Sequence, residues 1–212
     1  MIIVFAKAPI PGQAKTRLVP RLGEWRAAQL HARLTRHAVR TALAAQLGLV
    51  EVHGTARHRF FSSLGVRFRL QRGKDLGERM YRALATAKRP AILIGTDCPS
   101  LTPADLRRAL RWLQGGCDVV LAPAEDGGYA LIGVRRVKPQ WFENVPWGGP
   151  QVLAQTVRNL GGERWRALRR VWDLDRPEDL ERLRGLRFAS AARRGARRSL
   201  CTRARSGGWD RP

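Results

Sequence analysis

The chain has 212 residues, enough for one domain with a full core, and 44% of them are apolar, as in a globular protein. No apolar run approaches the ~20 residues that span a bilayer, which excludes a helical membrane span. Forty Lys and Arg against 17 Asp and Glu give a net charge of +23, which points either to a polyanionic partner or to an Arg-rich composition with a basic tail.

The elements alternate between strand and helix. Ile2–Phe5 is an apolar first strand, and it begins at once, with no charged n-region or cleavage-like site, which predicts a cytoplasmic protein. Residues 24–46 carry Trp25, Ala28, Leu30, Leu34, Ala38 and Leu43 near helical spacing. Strands are predicted at Leu49–His53 and Val66–Leu70, then a helix at Leu76–Ala87 with Met80 and Leu84 facing inward. Ala91–Ile94 is a strongly apolar strand. Thr102-Pro103-Ala104-Asp105 opens the next helix, with Thr as N-cap, Pro in the first turn and Asp complementing the dipole. That helix stops near Gly115-Gly116. Val119–Ala122 and Tyr129–Val134 are strands, Gln151–Asn159 a helix, Trp172–Leu174 a last short strand and Pro177–Arg184 a last helix. This alternation predicts an α/β fold with a mostly parallel central sheet covered on both faces, and ligands at the carboxyl ends of its strands. Residues 1–186 form the expected domain. Residues 187–212 hold eight arginines and one acid with little to bury, and are expected to be a disordered basic tail.

The chemistry gathers at predicted strand ends. Phe5 to Leu18 is a strand-to-helix loop with Gly12, two prolines and a closing Lys15-Thr16-Arg17, which brings backbone N–H groups and two cations near a phosphate. It is neither a Walker loop nor a Gly-x-Gly-x-x-Gly turn. Asp97 follows the apolar strand 91–94 in Gly95-Thr96-Asp97-Cys98-Pro99. It suits either a hard cation such as Mg²⁺ or Mn²⁺, or a turn; the phosphate loop favours the cation. Asp126-Gly127-Gly128-Tyr129 reads as a hairpin turn, or as a close approach to a ligand with Asp126 accepting from a hydroxyl. Asp173 and Asp175 flank the start of the last helix. Asp175 is an N-cap with Glu178 as its capping-box partner, or else a second metal ligand; Asp173 is the freer carboxylate. Arg79, in Gly73-Lys74-Asp75-Leu76-Gly77-Glu78-Arg79-Met80, is a phosphate clamp or a helix-surface residue. The four histidines show no metal spacing and read as structural or surface residues. Cys98, Cys117 and Cys201 fit no metal pattern and read as reduced thiols.

Five motifs occur in order: Phe-x-Lys-x-Pro-x-x-Gly-x-x-Lys-Thr-Arg-Leu at 5–18, Gly-x-Asp-Leu-Gly-Glu-Arg-Met at 73–80, Gly-Thr-Asp-x-Pro at 95–99, Asp-Gly-Gly-Tyr-x-Leu-Ile-Gly at 126–133 and Asp-x-Asp-x-Pro-Glu-Asp-Leu at 173–180. Together they resemble the bacterial radical-SAM/selenodomain-associated transferases, also described as arsenosugar-biosynthesis-type glycosyltransferases. The resemblance implies the three-layer GT-A nucleotide-diphospho-sugar transferase fold, a nucleotide-activated donor, a small-molecule acceptor and a divalent cation. It implies that Lys7, Pro9, Gly12, Lys15, Arg17, Asp75, Gly77 and Arg79 hold the nucleotide and its phosphates. Asp97 and Asp126 would be catalytic, and Asp97 with Asp173 (or Asp175) would hold the metal. Gly127, Gly128, Tyr129 and Trp147 would line the donor or acceptor pocket. Cys98 stands where a small hydroxyl residue is common, and Trp147-Gly148-Gly149 stands where Trp-Ser/Thr is expected. Nucleotidyl transfer with release of pyrophosphate is the alternative, and a basic nucleic-acid-binding protein on a degenerate transferase fold is a third reading.

Because the tail has little to bury, truncation after Leu186 is expected to leave the thermal midpoint and donor binding nearly unchanged. Loss of either in a melting or titration experiment would place the tail on the domain.

Overall fold

The structure, a computed structural model, describes residues 1–183; the expected basic tail, 187–212, lies outside them. Seven strands are present: β1 (Ile2–Ala6), β2 (Val50–Gly54), β3 (Arg67–Leu70), β4 (Ala91–Ile94), β5 (Val119–Pro123), β6 (Tyr129–Val134) and β7 (Trp165–Ala167). They form one sheet in the order β3-β2-β1-β4-β6-β5-β7. Only β6 runs against the others: it returns from β5 through the tight turn at 124–128 and lies antiparallel to both β5 and β4. The remaining pairs are parallel, so the mostly parallel α/β fold read from the sequence is the fold observed.

The helices are α1 (Val19–Leu22), α2 (Glu24–Ala44), α3 (Arg59–Ser62), α4 (Leu76–Thr86), α5 (Pro103–Gln114), α6 (Val152–Leu160) and α7 (Asp179–Arg182). Central strands of a parallel sheet are buried on both faces, and every residue of β1 is accordingly buried. Its alternate residues serve two cores. Ile2, Val4 and Ala6 meet α2 and α5. Ile3 and Phe5 meet α4, α6 and the 3₁₀ turn Pro139–Phe142 with its buried Trp141. The result is three layers. Start signals are visible locally. Thr102 and Asp105 form a reciprocal capping box behind Pro103, as the sequence predicts. Met80 and Leu84 are buried under α4 as expected.

Several expectations are corrected. Trp172–Leu174 is not a strand. Its backbone bonds Ser100 Oγ and the Asp97 carbonyl instead, and Leu174 is apolar because it packs on Leu18, Leu30 and Leu34. The seventh strand is β7, whose residues are all exposed and therefore carry no apolar pattern. The last helix shrinks from the expected 177–184 to α7. Trp25 and Leu43, read as inward positions of α2, are 66% and 48% exposed, because the buried stripe runs through Ala28, Leu30, Leu34 and Ala38.

Gly54 ends β2 where two rings close over the backbone. A Cβ there would stand 2.6 Å from the Phe61 ring and 2.7 Å from that of Phe68. Gly54→Ala is expected to destabilise the fold by about 1–3 kcal/mol through overpacking, read as a lower urea midpoint.

Candidate active site at the strand ends

The loop leaving β1 is fastened at both ends. Ala8 N–H donates to Thr55 Oγ1 beyond β2 (3.2 Å), and Gln13 and Ala14 N–H return to the Ile10 carbonyl. Gly12 takes a left-handed conformation (φ 75°) that suits glycine, beside the Glu24 carboxylate. Lys15 is also left-handed (φ 53°), and its side chain is buried. This turn drives the ammonium inward. Lys15 Nζ lies 2.6 Å from Asp97 Oδ1 and 3.8 Å from Asp175 Oδ1, and donates to the Leu174 carbonyl. Arg17 pairs with the other oxygen of Asp175. Both proposed phosphate cations are therefore held by carboxylates in this state.

Asp97 leaves the end of β4 with its side chain 53% exposed. Desolvation in the crevice works to raise its pKa, but the Lys15 ammonium, with lesser help from His31 and Lys7, holds it below the ordinary carboxylate value. The Asp97 carbonyl accepts from Leu174 N–H (2.8 Å), which lays the 171–175 segment against the β4 exit. Asp173 is left without a cation among the described residues. Desolvation, then the charges of Asp126, Asp175 and Asp179, push its carboxyl up to about 6. Asp97, Asp126 and Asp173 all bear on the Cys98 thiol, which burial and these carboxylates push well up, so Cys98 is no thiolate nucleophile at neutral pH. Among the described residues no three His, Cys, Asp or Glu side chains form a metal cage.

The choice between Asp173 and Asp175 is decided by capping. The expected capping box of Asp175 and Glu178 does not form. Asp179 instead reaches back, its Oδ2 accepting from Asp175 N–H (3.0 Å) and Arg176 N–H (2.7 Å). Asp175 is thereby free to pair with Lys15 and Arg17, and Asp173 is the open carboxylate.

The other expected site residues are spread around the crevice. Lys7 is exposed and acts electrostatically on Asp97 and His31. Pro9 is half-buried in the same loop. Asp75 caps α4 through Glu78 N–H (2.8 Å), and Arg79 Nε holds the Gly73 carbonyl (3.0 Å). Gly77 makes room for Trp147: a Cβ there would stand 2.7 Å from the indole, which also stacks on Phe142. Asp126 Oδ1 accepts from Gly128 N–H (2.8 Å), the local turn bond that the sequence allowed. Gly127 lies directly beneath the Pro150 carbonyl, which leaves no space for a side chain. The Tyr129 hydroxyl is buried beside Thr156 of α6, so it faces the core and not an open pocket.

Two residues escaped the sequence reading. His31 is buried in α2, and its Nε2 donates to the Lys7 carbonyl (3.0 Å); burial lowers its pKa against the pull of Asp97. His37, on the same helix, donates from Nε2 to the Pro99 carbonyl (3.0 Å). One helix thus fastens the loops after β1 and β4. Spacing gave no signal, because each imidazole serves a different loop.

A family described as uncharacterized proteins conserved in bacteria (DUF2064) matches residues 28–149, more than half of the chain. The chain belongs to this family. The crystal structure of a protein from Desulfovibrio desulfuricans G20, provisionally named a nucleotide-diphospho-sugar transferase, is 30% identical. Its superposition covers 92% of this DUF2064 chain and 90% of the other, with a TM-score of 0.79. A phosphoenolpyruvate guanylyltransferase from Thermomonospora curvata is 38% identical over 101 residues, which is 46% of this chain; the match spans 43% of that relative. Rv0371c from Mycobacterium tuberculosis H37Rv, solved with manganese, shares the fold at 20% identity over 86% of this chain and 96% of its own, with a TM-score of 0.50. Among the described residues no helix is long and apolar enough to cross a membrane.

Asp173 generates a pH prediction. Its pKa is raised from 3.8 to about 6, so between these values the unfolded chain has lost a proton that the folded chain keeps. Stability from this group therefore falls as pH rises from 3.8 to about 6 and stays lowered above it. Asp173→Asn is expected to match the parent protein in acid, and to melt higher than it at neutral pH in the absence of divalent cations. Melting curves across that range check this.

Proposed function

We propose that this DUF2064 protein is a divalent-cation-dependent transferase that moves a glycosyl unit from a nucleotide-diphospho-sugar donor to a small-molecule acceptor. The observation that carries the reading is the charge cluster at the ends of β1 and β4: Lys15 and Arg17 clasped by Asp97 and Asp175, with Asp173 uncompensated beside them. The narrower likeness to arsenosugar-type glycosyltransferases, and a cytoplasmic setting, belong to the same proposal.

The residues present fit a hard cation carried in with a nucleotide. Mg²⁺ is usually bound through one or two carboxylates plus substrate phosphates, not by an all-protein cage. Asp97, half exposed, and Asp173, raised for want of a cation, would hold it with the donor's phosphate oxygens. Such an ion supplies charge neutralisation at the leaving diphosphate. Arg17 would then turn its planar fork from Asp175 to the phosphates, with Lys15 as a point charge beneath. Asp126, exposed and with Oδ2 outside the turn bond, would orient the acceptor hydroxyl or take its proton. Trp147, packed on Gly77, would form one wall. His31 and His37 would keep the two loops in position.

Nucleotidyl transfer is the second reading, favoured by the stretch shared with the phosphoenolpyruvate guanylyltransferase. There an acceptor phosphate would attack the donor's α-phosphate. The released product separates the two: nucleoside diphosphate for glycosyl transfer, pyrophosphate for nucleotidyl transfer. Pyrophosphate from a nucleoside triphosphate, with no turnover of nucleotide sugars, would overturn the first reading.

Asp97→Asn is expected to lower divalent-dependent donor affinity or turnover about 100-fold, roughly 3 kcal/mol, in a protein that still melts cooperatively. Unchanged metal dependence would remove Asp97 from the site.

A further inference from the structure

Strands in a parallel sheet are normally apolar on both faces. Here β2 reads Val-Glu-Val-His and β3 reads Arg-Phe-Arg-Leu, which alternate. Parallel register sets Ile3, Glu51 and Arg67 in one row and Phe5, His53 and Arg69 in the next, on the α4 side of the sheet. Toward the β3 edge that face is therefore polar, and α4 covers only its inner part. A groove of about 530 Å³ remains between α4 and β3. It runs down the flank of α4 as far as Thr86, near the helix C-terminus, away from the strand ends where Lys15 and Asp97 meet.

The lining is one-sided in charge. Five of its thirteen residues are arginine (Arg57, Arg69, Arg72, Arg79 and Arg82) and none is acidic, whereas the chain as a whole holds 17 acids to 40 bases. The nearby carboxylates are already engaged. Buried Glu51 takes His53, Arg67 and Arg69; Glu78 takes Arg82 and Lys74 N–H. Arg57 and Arg72 have no carboxylate partner among the described residues. The imidazole of His53 and the Phe68 and Tyr81 rings add flat surface between the guanidinium groups.

We propose that this groove is a second anion site, distinct from the strand-end crevice, that takes a small phosphorylated ligand. A phosphate group suits it because guanidinium forks bind phosphate oxygens in pairs, and several such forks converge with no acid among them. The volume lies within the range of small-molecule pockets, which favours a ligand of nucleotide size over a polymer. The site does not depend on the transferase reaction, since it uses neither Asp97 nor Lys15.

Inorganic tripolyphosphate is the probe, titrated calorimetrically into the full chain with a chelator present, so that no divalent cation supports binding at the crevice. Arg57→Gln with Arg72→Gln is expected to weaken binding roughly 10-fold or more, since two charge-assisted bonds are removed. Both side chains are exposed and unpaired, so the variant should fold; its melting curve checks that. The charge-matched pair Arg107→Gln with Arg108→Gln, on α5 across the sheet, is expected to change binding less than about twofold. Equal losses in the two pairs would mean diffuse attraction to a basic protein, and no loss in the first pair would mean that the groove is not the site; either overturns the proposal. A single-stranded oligonucleotide of about 20 residues, longer than the groove, tests the remaining case. If it binds far more tightly than tripolyphosphate through the same two arginines, the surface is a nucleic-acid track and the small-ligand proposal falls.

Discussion

The buried ammonium of Lys15 is the constraint on which the strand-end site depends. A lysine charge removed from water needs a carboxylate and hydrogen-bond acceptors around it, or its burial is costly. Lys15 finds Asp97 at the exit of β4, and the Leu174 carbonyl and Asp175 in the segment beyond β7. Three stretches far apart in sequence are thereby held at one point. The left-handed backbone at Lys15, an uncommon conformation for a residue with a side chain, turns the ammonium inward. The strain is local, and the three acceptors offset it.

That clasp leaves the crevice short of positive charge by one carboxylate. Asp97 and Asp175 are satisfied internally, while Asp173 is not, and its raised pKa records the imbalance. A site poised in this way accommodates a further cation with little rearrangement, and an arriving diphosphate would compete with Asp175 for Arg17. The surrounding frame is stiffer. Two imidazoles on α2 hold the loops after β1 and β4, and the Arg182 guanidinium, stacked over Trp172, pairs with Glu125 to bind α7 to the loop after β5. Pairing is thus concentrated in the walls, and the single uncompensated acid sits in the floor.

The positive charge is also unevenly arranged. Much of it lies on helix surfaces, where it needs no explanation beyond composition. On the outer face of β2 and β3 it is ordered by the strand repeat, because residues two apart point the same way and parallel register aligns them between strands. Glu51 and His53 are buried there among arginines, so this edge of the sheet is closed by ion pairs where its centre is closed by apolar packing.

The sequence by itself determined the fold class and most element positions. The buried strands announce themselves by continuous apolar runs, as in Ile2–Ala6 and Ala91–Ile94, and the start of α5 by its capping residues. It also located Lys15, Arg17, Asp97 and Asp173 at strand ends, since loop chemistry and strand limits are local properties. It missed β7, which is exposed and carries no apolar pattern, and misread Trp172–Leu174, whose apolar residues pack on helices and do not pair in the sheet. Only the tertiary structure decided that β6 runs backward, that Asp179 and not Asp175 takes the backbone N–H groups before α7, that Tyr129 turns into the core, and that His31 and His37 serve the site. Each of these depends on which groups meet across more than twenty residues of chain or on competition between neighbours for one donor, and neither periodicity nor motif spacing encodes that outcome.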